Sequence, residues 1–367
     1  MTKLSPLTFP ETLNYVGVFL TFGCNLKCSY CINDPRQAGE RGLMIAEGAS
    51  ELPPDLWAEG LRRLPLRHDL PITLQGGEPT LYHGGRGIAR LLELCPDYRF
   101  DLLTNLALPP EKMARCLGSN PTPLMRDAPY PTIRVSYHHD EMNRNWGDGL
   151  ETLIQRCESL ADLGFRVGPD KADSHVGIYM VAHPDNVVSL EQATRRTAGR
   201  VAFETKEFLG MHDGALHGRY RYPFSINLLS SGTWDRGLSC QCRTTELLLD
   251  PLGFVWPCHY YLYETWLKHD PRPAFERLAR QAWRFDESIA AMMPFTPTGH
   301  ILDPDFTADH LRQFHPCQSY GLCIGCDTKV KNNRFQDLQD RGIAHTSVEI
   351  IDIDVPDELA HLFTDFQ

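Results

Sequence analysis

From Leu13 to Leu209 the chain alternates short apolar runs with amphipathic ones, and that alternation leaves few folds open. Strand signals fall at Leu13–Phe22, Pro71–Gly76, Arg99–Asn105, Thr132–His138, His175–Ala182 and Val201–Leu209. Helical spacing fills the intervals at Pro54–Leu64, Gly87–Cys95, Pro110–Gly118, Gly149–Gly164 and Asn186–Gly199. Two parallel strands cannot be joined by a tight turn; they need a crossover of a dozen residues or more, and a helix supplies it. The pattern therefore predicts an α/β fold, an incomplete (β/α)6 TIM-like barrel or its open-sheet counterpart. In either arrangement ligands gather at the C-terminal ends of the strands. The chemistry-bearing residues cluster there: three cysteines after the first strand, "GGEP" after the second, "TN" after the third and "SYHHD" after the fourth.

Past about residue 215 the alternation stops. "ELLLDPLGFVWPC" reads as a hairpin, with strands Glu246–Leu249 and Phe254–Trp256 about a "DPLG" turn. The organisation expected is a partial barrel over residues 1–215, a smaller cysteine-rich domain over 216–345, and an acidic tail over 346–367 whose last part is a short helix or frayed end. "RFQDLQDRGIAHTSVEI" (Arg334–Ile350) suggests a segment that returns over the barrel mouth, without a mechanism attached. A net charge of −11 and only one short basic cluster, Lys329–Arg334, argue against nucleic acid as a partner. No apolar run approaches the ~20 residues of a membrane span, and the N-terminus lacks a signal-peptide core, so a cytoplasmic protein is expected.

Twelve cysteines are many for such a chain, and without a secretion signal ligation is favoured over disulfides. Cys24, Cys28 and Cys31 stand in "LTFGCNLKCSYC", with spacings of three and two. Cys240, Cys242, Cys258, Cys317, Cys323 and Cys326 form a second group. Cys95, Cys116 and Cys157 lie in or near helical patterns and read as small buried apolar side chains. Three thiolates on one short loop can hold three irons of a [4Fe–4S] cube and leave the fourth open to a chelating amine and carboxylate. A zinc site would need a fourth ligand, and the next His or Cys is His68.

With Tyr30 just before the last cysteine and Gly76–Pro79 closing the second strand, the sequence resembles the radical S-adenosylmethionine (radical SAM) superfamily. The resemblance covers roughly residues 1–210. It implies a [4Fe–4S] cluster on Cys24, Cys28 and Cys31 whose open iron binds S-adenosylmethionine. It implies reductive cleavage of the cofactor to a 5′-deoxyadenosyl radical that abstracts a substrate hydrogen, with flavodoxin or ferredoxin as reductant. Cofactor contacts are expected from Tyr30, Gly76, Gly77, Glu78, Thr104, Asn105 and Ser136. Leu106 departs from the pattern, since a glycine is common there. Arg134 is an alternative to Ser136 if the strand is regular.

His138, His139 and Asp140 are the densest acid–base patch in this half, and Lys206, flanked by Glu204 and Glu207, is a further catalytic candidate. Cys242, Gly253 and Cys258, followed by Cys323 and Cys326, resemble the twitch and SPASM auxiliary-cluster domains. That implies a second [4Fe–4S] cluster, with Cys317 able to replace one ligand and zinc as the other occupant. The expected function is a radical SAM oxidoreductase or rearranging enzyme on a small molecule, since only about fifteen residues precede the first strand. The alternatives are a peptide or protein maturase and a non-enzymatic zinc or electron-transfer protein.

Overall fold

The computed structural model describes residues 4–10, 13, 15–28, 51–67, 70–207, 210–212, 215–217, 240–244, 246–313, 315–317 and 348–351. Tyr30, Cys31, Cys323, Cys326 and residues 334–347 lie outside them.

Six parallel strands run in chain order: β1 (Tyr15–Thr21), β2 (Ile72–Gly76), β3 (Phe100–Thr104), β4 (Ile133–Ser136), β5 (Val176–Ala182) and β6 (Ala202–Glu207). Helices α1 (Pro54–Leu61), α2 (Gly87–Leu94), α3 (Pro110–Leu117), α4 (His139–Trp146), α5 (Gly149–Ser159) and α6 (Val187–Thr197) make the crossovers. Val16, Val18 and Leu20 of β1, Leu74 of β2, Leu102 of β3, Val135 of β4 and Ile178 of β5 share one buried cluster with Trp57, Leu91, Met113 and Ile154 of the helices. Period-2 alternation then gives the other face of these strands, called the inner face below, to the side of the sheet away from these helices. Each expected strand and helix of this half is present within a few residues of its expected ends; α4 was not foreseen.

The hairpin appears as β10 (Glu246–Leu249) and β11 (Phe254–Trp256), but it does not stand apart. β10 pairs in parallel with β1, Tyr15 opposite Glu246 and Val18 opposite Leu249. With β12 (Gly299–His300) the sheet becomes nine strands ordered β12-β11-β10-β1-β2-β3-β4-β5-β6. The inner face of β1 supplies Tyr15 and Phe19, and Phe22 follows, to a second core with Leu248, Phe254 and Trp256. Helix α7 (His259–Lys268) adds Leu262, Tyr263 and Trp266 to that core, and α8 (Arg272–Arg280) adds Ala274 and Leu278.

Two buried polar groups fix this half. The Asp250 carboxylate, in the hairpin turn, accepts from Leu252 N and Phe254 N at 2.9 and 3.0 Å, and from the indole N–H groups of Trp256 and Trp266 at 2.9 and 3.0 Å. Burial still pushes its pKa up to about 6 against those four donors. Arg63, after α1, donates to the carbonyls of Ser5, Ile301, Asp303 and Phe306 at 2.7–2.9 Å, clamping residues 301–306 to the barrel wall. A guanidinium's five donors suit it to this work.

A three-stranded antiparallel sheet carries β9 (Cys240–Thr244) between β13 (His315–Cys317) and β14 (Val348–Ile351). β14 comes from the segment expected to be a tail, and it pairs Ile350 with Cys242. Three of its four residues are β-branched, which suits a strand, and the acidic composition of the segment obscured that. A two-stranded ribbon of β7 (Gly210–His212) and β8 (Ala215–His217) follows β6.

Candidate functional site

The ends of β1, β2 and β3 are bound to one another before any ligand is considered. After β1, Gly23 N donates to Thr21 Oγ1 at 2.9 Å and turns the chain into the cysteine loop. After β2, Gly77 N donates to Thr21 O at 2.8 Å and Glu78 N to Gly23 O at 2.7 Å. A side chain at Gly77 would put its Cβ 2.3 Å from Gly23 O and 2.4 Å from Phe22 O. The glycine is therefore dictated by backbone approaching backbone.

Glu78 is fully buried. Its Oε1 accepts from Thr80 N at 3.0 Å, Thr80 Oγ1 at 2.6 Å and Thr104 Oγ1 at 2.7 Å; its Oε2 accepts from Asn105 N at 2.6 Å. Burial raises its proton affinity above the usual carboxylate range, and these hydrogen bonds act against that. Oε2 has the larger remaining capacity, so one further donor such as an ammonium suits the carboxylate. Glu78 is thus both the expected cofactor contact and the tie between the β2 turn and the end of β3.

Asn105 extends the tie to the cysteines. Its Nδ2 donates to Cys24 Sγ at 3.8 Å and to Asn25 Oδ1 at 2.8 Å, while Oδ1 accepts from Ala107 N at 2.9 Å. Leu26 N also donates to Cys24 Sγ, at 3.4 Å. Leu106 has φ +49°, the left-handed region, which explains why a glycine suits that position; the leucine side chain is buried in the barrel core. On the other side of the loop, Lys27 N donates to Glu141 Oε2 at 3.0 Å, and Arg144 pairs with Oε1 of the same carboxylate. The motif spacing gave no signal for Glu141; its place on α4 became visible only in three dimensions.

β4 is regular on both sides, so Arg134 and Ser136 share its inner face. Arg134 stands nearer the N-terminal end, where its Nη2 reaches Asp101 Oδ2 at 3.4 Å and Thr73 Oγ1 at 3.5 Å. Ser136 is left as the inward residue at the strand's C-terminal end.

The acid–base candidates do not form one constellation. His138 caps α4, and desolvation pushes its imidazole down to about 4 against the pull of Glu141, so it is neutral at pH 7. His139 is held at Nδ1 by Asp140 Oδ1 and at Nε2 by Ser189 Oγ of α6, each at 2.8 Å; Asp140 itself is exposed. That places the His139–Asp140 pair where α4 meets α6. Lys206 is buried on the inner face of β6, with Nζ 3.9 Å from Glu204 Oε2 and 5.0 Å from the Tyr179 ring centre. Burial works to raise Glu204, but the Lys206 charge and a 2.8 Å bond from Lys171 outweigh it and hold the carboxyl below its usual range.

In the second cysteine group, Cys258 is half-buried and precedes the first residue of α7. β13 sets Cys317 opposite Cys240 and His315 opposite Cys242. Among the described residues no group of three His, Cys, Asp or Glu stands ready to hold a metal ion. In both cysteine groups part of the expected ligand set lies outside those residues. The first loop fits a thiolate-bound cluster on independent grounds. Two N–H groups already aim at Cys24 Sγ, and glycine backbone lines the turn beside it.

The model of the radical SAM superfamily matches residues 18–196. No curated protein matches the chain. Among solved structures, that of Streptococcus suis SuiB shares 14% identity over 77% of this chain and 67% of its own, with a TM-score of 0.40. The same protein bound to S-adenosylmethionine shares 13% identity over 84% of this chain and 76% of its own, at 0.38. No described helix is long and apolar enough to cross a membrane.

Proposed function

The chain belongs to the radical SAM superfamily through residues 18–196, and from that premise we propose that Cys24, Cys28 and Cys31 hold a [4Fe–4S] cluster beside a bound S-adenosylmethionine. Together these groups supply one-electron cleavage of a sulfonium C–S bond and a 5′-deoxyadenosyl radical that takes a hydrogen atom from substrate. The observation that carries the reading is the continuous hydrogen-bonded path from Glu78 through Asn105 to Cys24 Sγ. Glu78 accepts the cofactor's ammonium at Oε2; Gly76 and Gly77 let the backbone approach it; Ser136 and Thr104 line the same strand ends. Asn105 and Leu26 N stabilise the Cys24 thiolate by donating to its sulfur. Membership in the superfamily sets aside the non-enzymatic reading.

Residues 216–345 form the auxiliary-cluster region in this proposal, with Cys242, Cys258, Cys323 and Cys326 as ligands, Cys317 as the substitute, and electron relay as the role. The substrate is a small metabolite or a residue of a peptide. The reductant is a flavodoxin or ferredoxin. Iron and sulfide analysis of anaerobically reconstituted protein tests the ligand assignment. Wild type should hold about eight irons and the Cys24/Cys28/Cys31→Ala variant about four, at four irons per cube. About four irons in wild type, all lost in the variant, would remove the auxiliary cluster from the account. Adding S-adenosylmethionine with metabolite or peptide panels then separates the substrate classes by which raises 5′-deoxyadenosine above the substrate-free level.

A further inference from the structure

We propose that Glu141 is a positioning residue for the cysteine loop: its carboxylate fixes the loop at Lys27, beside Cys28, and its negative charge makes a cluster held there harder to reduce. That there is a cluster to hold rests on the function proposed above; the tie itself does not.

Glu141 is the third residue of α4, three beyond the N-cap His138. A glutamate at that place commonly folds back to the N–H of its own N-cap. Here Oε2 accepts from Lys27 N at 3.0 Å, a partner 114 residues away along the chain, and Oε1 accepts from Arg144. Glu141 is 7% exposed, whereas the Arg144 side chain is 68% exposed. Water screens the arginine far more than the carboxylate, so the balance of charge facing the loop is negative. The first turn of a helix favours such a negative charge.

The loop is pinned on both sides of this bond. Leu26 and Cys28 are buried in the barrel core, and Lys27 between them is exposed. Asn105, from the end of β3, holds the Cys24 end of the loop. Glu141, from the helix after β4, holds the Cys28 end. Two neighbouring thiols thus take their places from two different strand ends. Taking the acceptor away from the Lys27 N–H, which is partly buried, is costly, and a shift of the loop toward water relieves it by moving Cys28. Glutamine at 141 keeps an amide oxygen for Lys27 N and drops the charge; alanine drops both. The potential of an iron–sulfur cluster follows the net charge and hydrogen bonding around it, so the two substitutions separate the two roles.

The full-length chain is reconstituted anaerobically as wild type, Glu141→Ala, Glu141→Gln and the Cys24/Cys28/Cys31→Ala variant. Iron of the first cluster is the difference from the cysteine variant, about four atoms in wild type. Glu141→Ala should keep less than about half of that iron, and Glu141→Gln nearly all of it. The electron paramagnetic resonance signal of the first cluster, identified by its loss in the cysteine variant, is then read at a fixed potential at which about a tenth of the wild-type cluster is reduced. Glu141→Gln should be about threefold more reduced there, a change that a merely structural glutamate would not produce. Full iron in Glu141→Ala, iron lost from Glu141→Gln as from Glu141→Ala, or equal reduction of Glu141→Gln and wild type would each overturn the proposal. If circular dichroism shows Glu141→Ala unfolded, Glu141→Gln decides alone: equal reduction refutes the role. No more iron in wild type than in the cysteine variant would bring down the radical reading, and the positioning role with it; every other outcome leaves that reading standing.

Discussion

At Glu78 one carboxylate serves four donors within the chain, and each is needed for a different reason. Thr80 closes the turn after β2, Thr104 and Asn105 belong to the end of β3, and Asn105 continues to Cys24. Glu78→Ala should therefore act on stability as well as on cofactor binding. Stranding several buried donors at once should cost roughly 2–5 kcal/mol by the penalty for unsatisfied groups. Urea denaturation of the variant beside wild type measures it. His300 offers a cleaner test by pH. Its Nε2 donates to Leu252 O at 2.8 Å, its Nδ1 accepts from Leu302 N at 3.2 Å, and it stacks on Trp283 with ring centres 5.4 Å apart. Protonating Nδ1 would set two donors face to face, and burial pushes the imidazole down to about 4. The unfolded chain binds the proton near pH 6.5, so stability from this group is complete above that pH and is lost as pH falls toward 4. Wild type should lose about 1.4 kcal/mol per pH unit more than His300→Gln across that window, measured by denaturant titration at several pH values. Equal slopes would mean the ring is not held neutral.

At the scale of elements, the glycine turn after β2 is the part that ties the cysteine loop to the sheet. Gly77→Ala places a Cβ against the carbonyls of Phe22 and Gly23, neither of which can move without moving the cysteine loop. The variant should retain less than half of the first cluster's iron while keeping the far-ultraviolet spectrum of the barrel; iron analysis with circular dichroism checks both. This turn was legible in the sequence because "GGEP" follows a strand of five residues and glycine has few reasons to be doubled there. Barrel strands were legible for a similar reason: fully buried parallel strands read as continuous apolar runs. Helix α4 was not, because "HHDEMNRN" is polar on nearly every face and only Glu141 and Met142 are buried. Strand β14 was missed because four residues, Val348–Ile351, are too short a run to stand out beside the acidic stretch that follows them in the sequence. Arg134 was noted only as an alternative cofactor contact; its partner Asp101 lies on β3, and no spacing along the chain encodes their meeting.

For the whole molecule, the consequence of the β1–β10 pairing is that the barrel and the hairpin region share one sheet and one aromatic core. Phe19 packs edge-on to Tyr263 at 5.8 Å, and Phe22 edge-on to Trp266 at 4.9 Å, both between β1 or its end and α7. A chain cut after residue 217 would leave β1 as a sheet edge and expose Tyr15, Phe19 and Phe22, an invitation to aggregation. Such a fragment should give no cooperative thermal transition, whereas the full chain should; a fragment that melts cooperatively would show the barrel self-sufficient. Trp266→Ala should cost about 3–5 kcal/mol, the range for deleting a buried aromatic, and should lower the transition of the barrel with that of the hairpin region.

In the proposed function the cysteine loop, the glycine turn and Asn105 assemble a site that cleaves S-adenosylmethionine. The most direct measurement is 5′-deoxyadenosine formed by the anaerobically reconstituted, dithionite-reduced chain, quantified by mass spectrometry beside the Cys24/Cys28/Cys31→Ala variant. The account predicts 5′-deoxyadenosine and methionine in equal amounts from wild type and none above the protein-free level from the variant. No 5′-deoxyadenosine from wild type carrying its full complement of iron, or the same amount from both proteins, would contradict it.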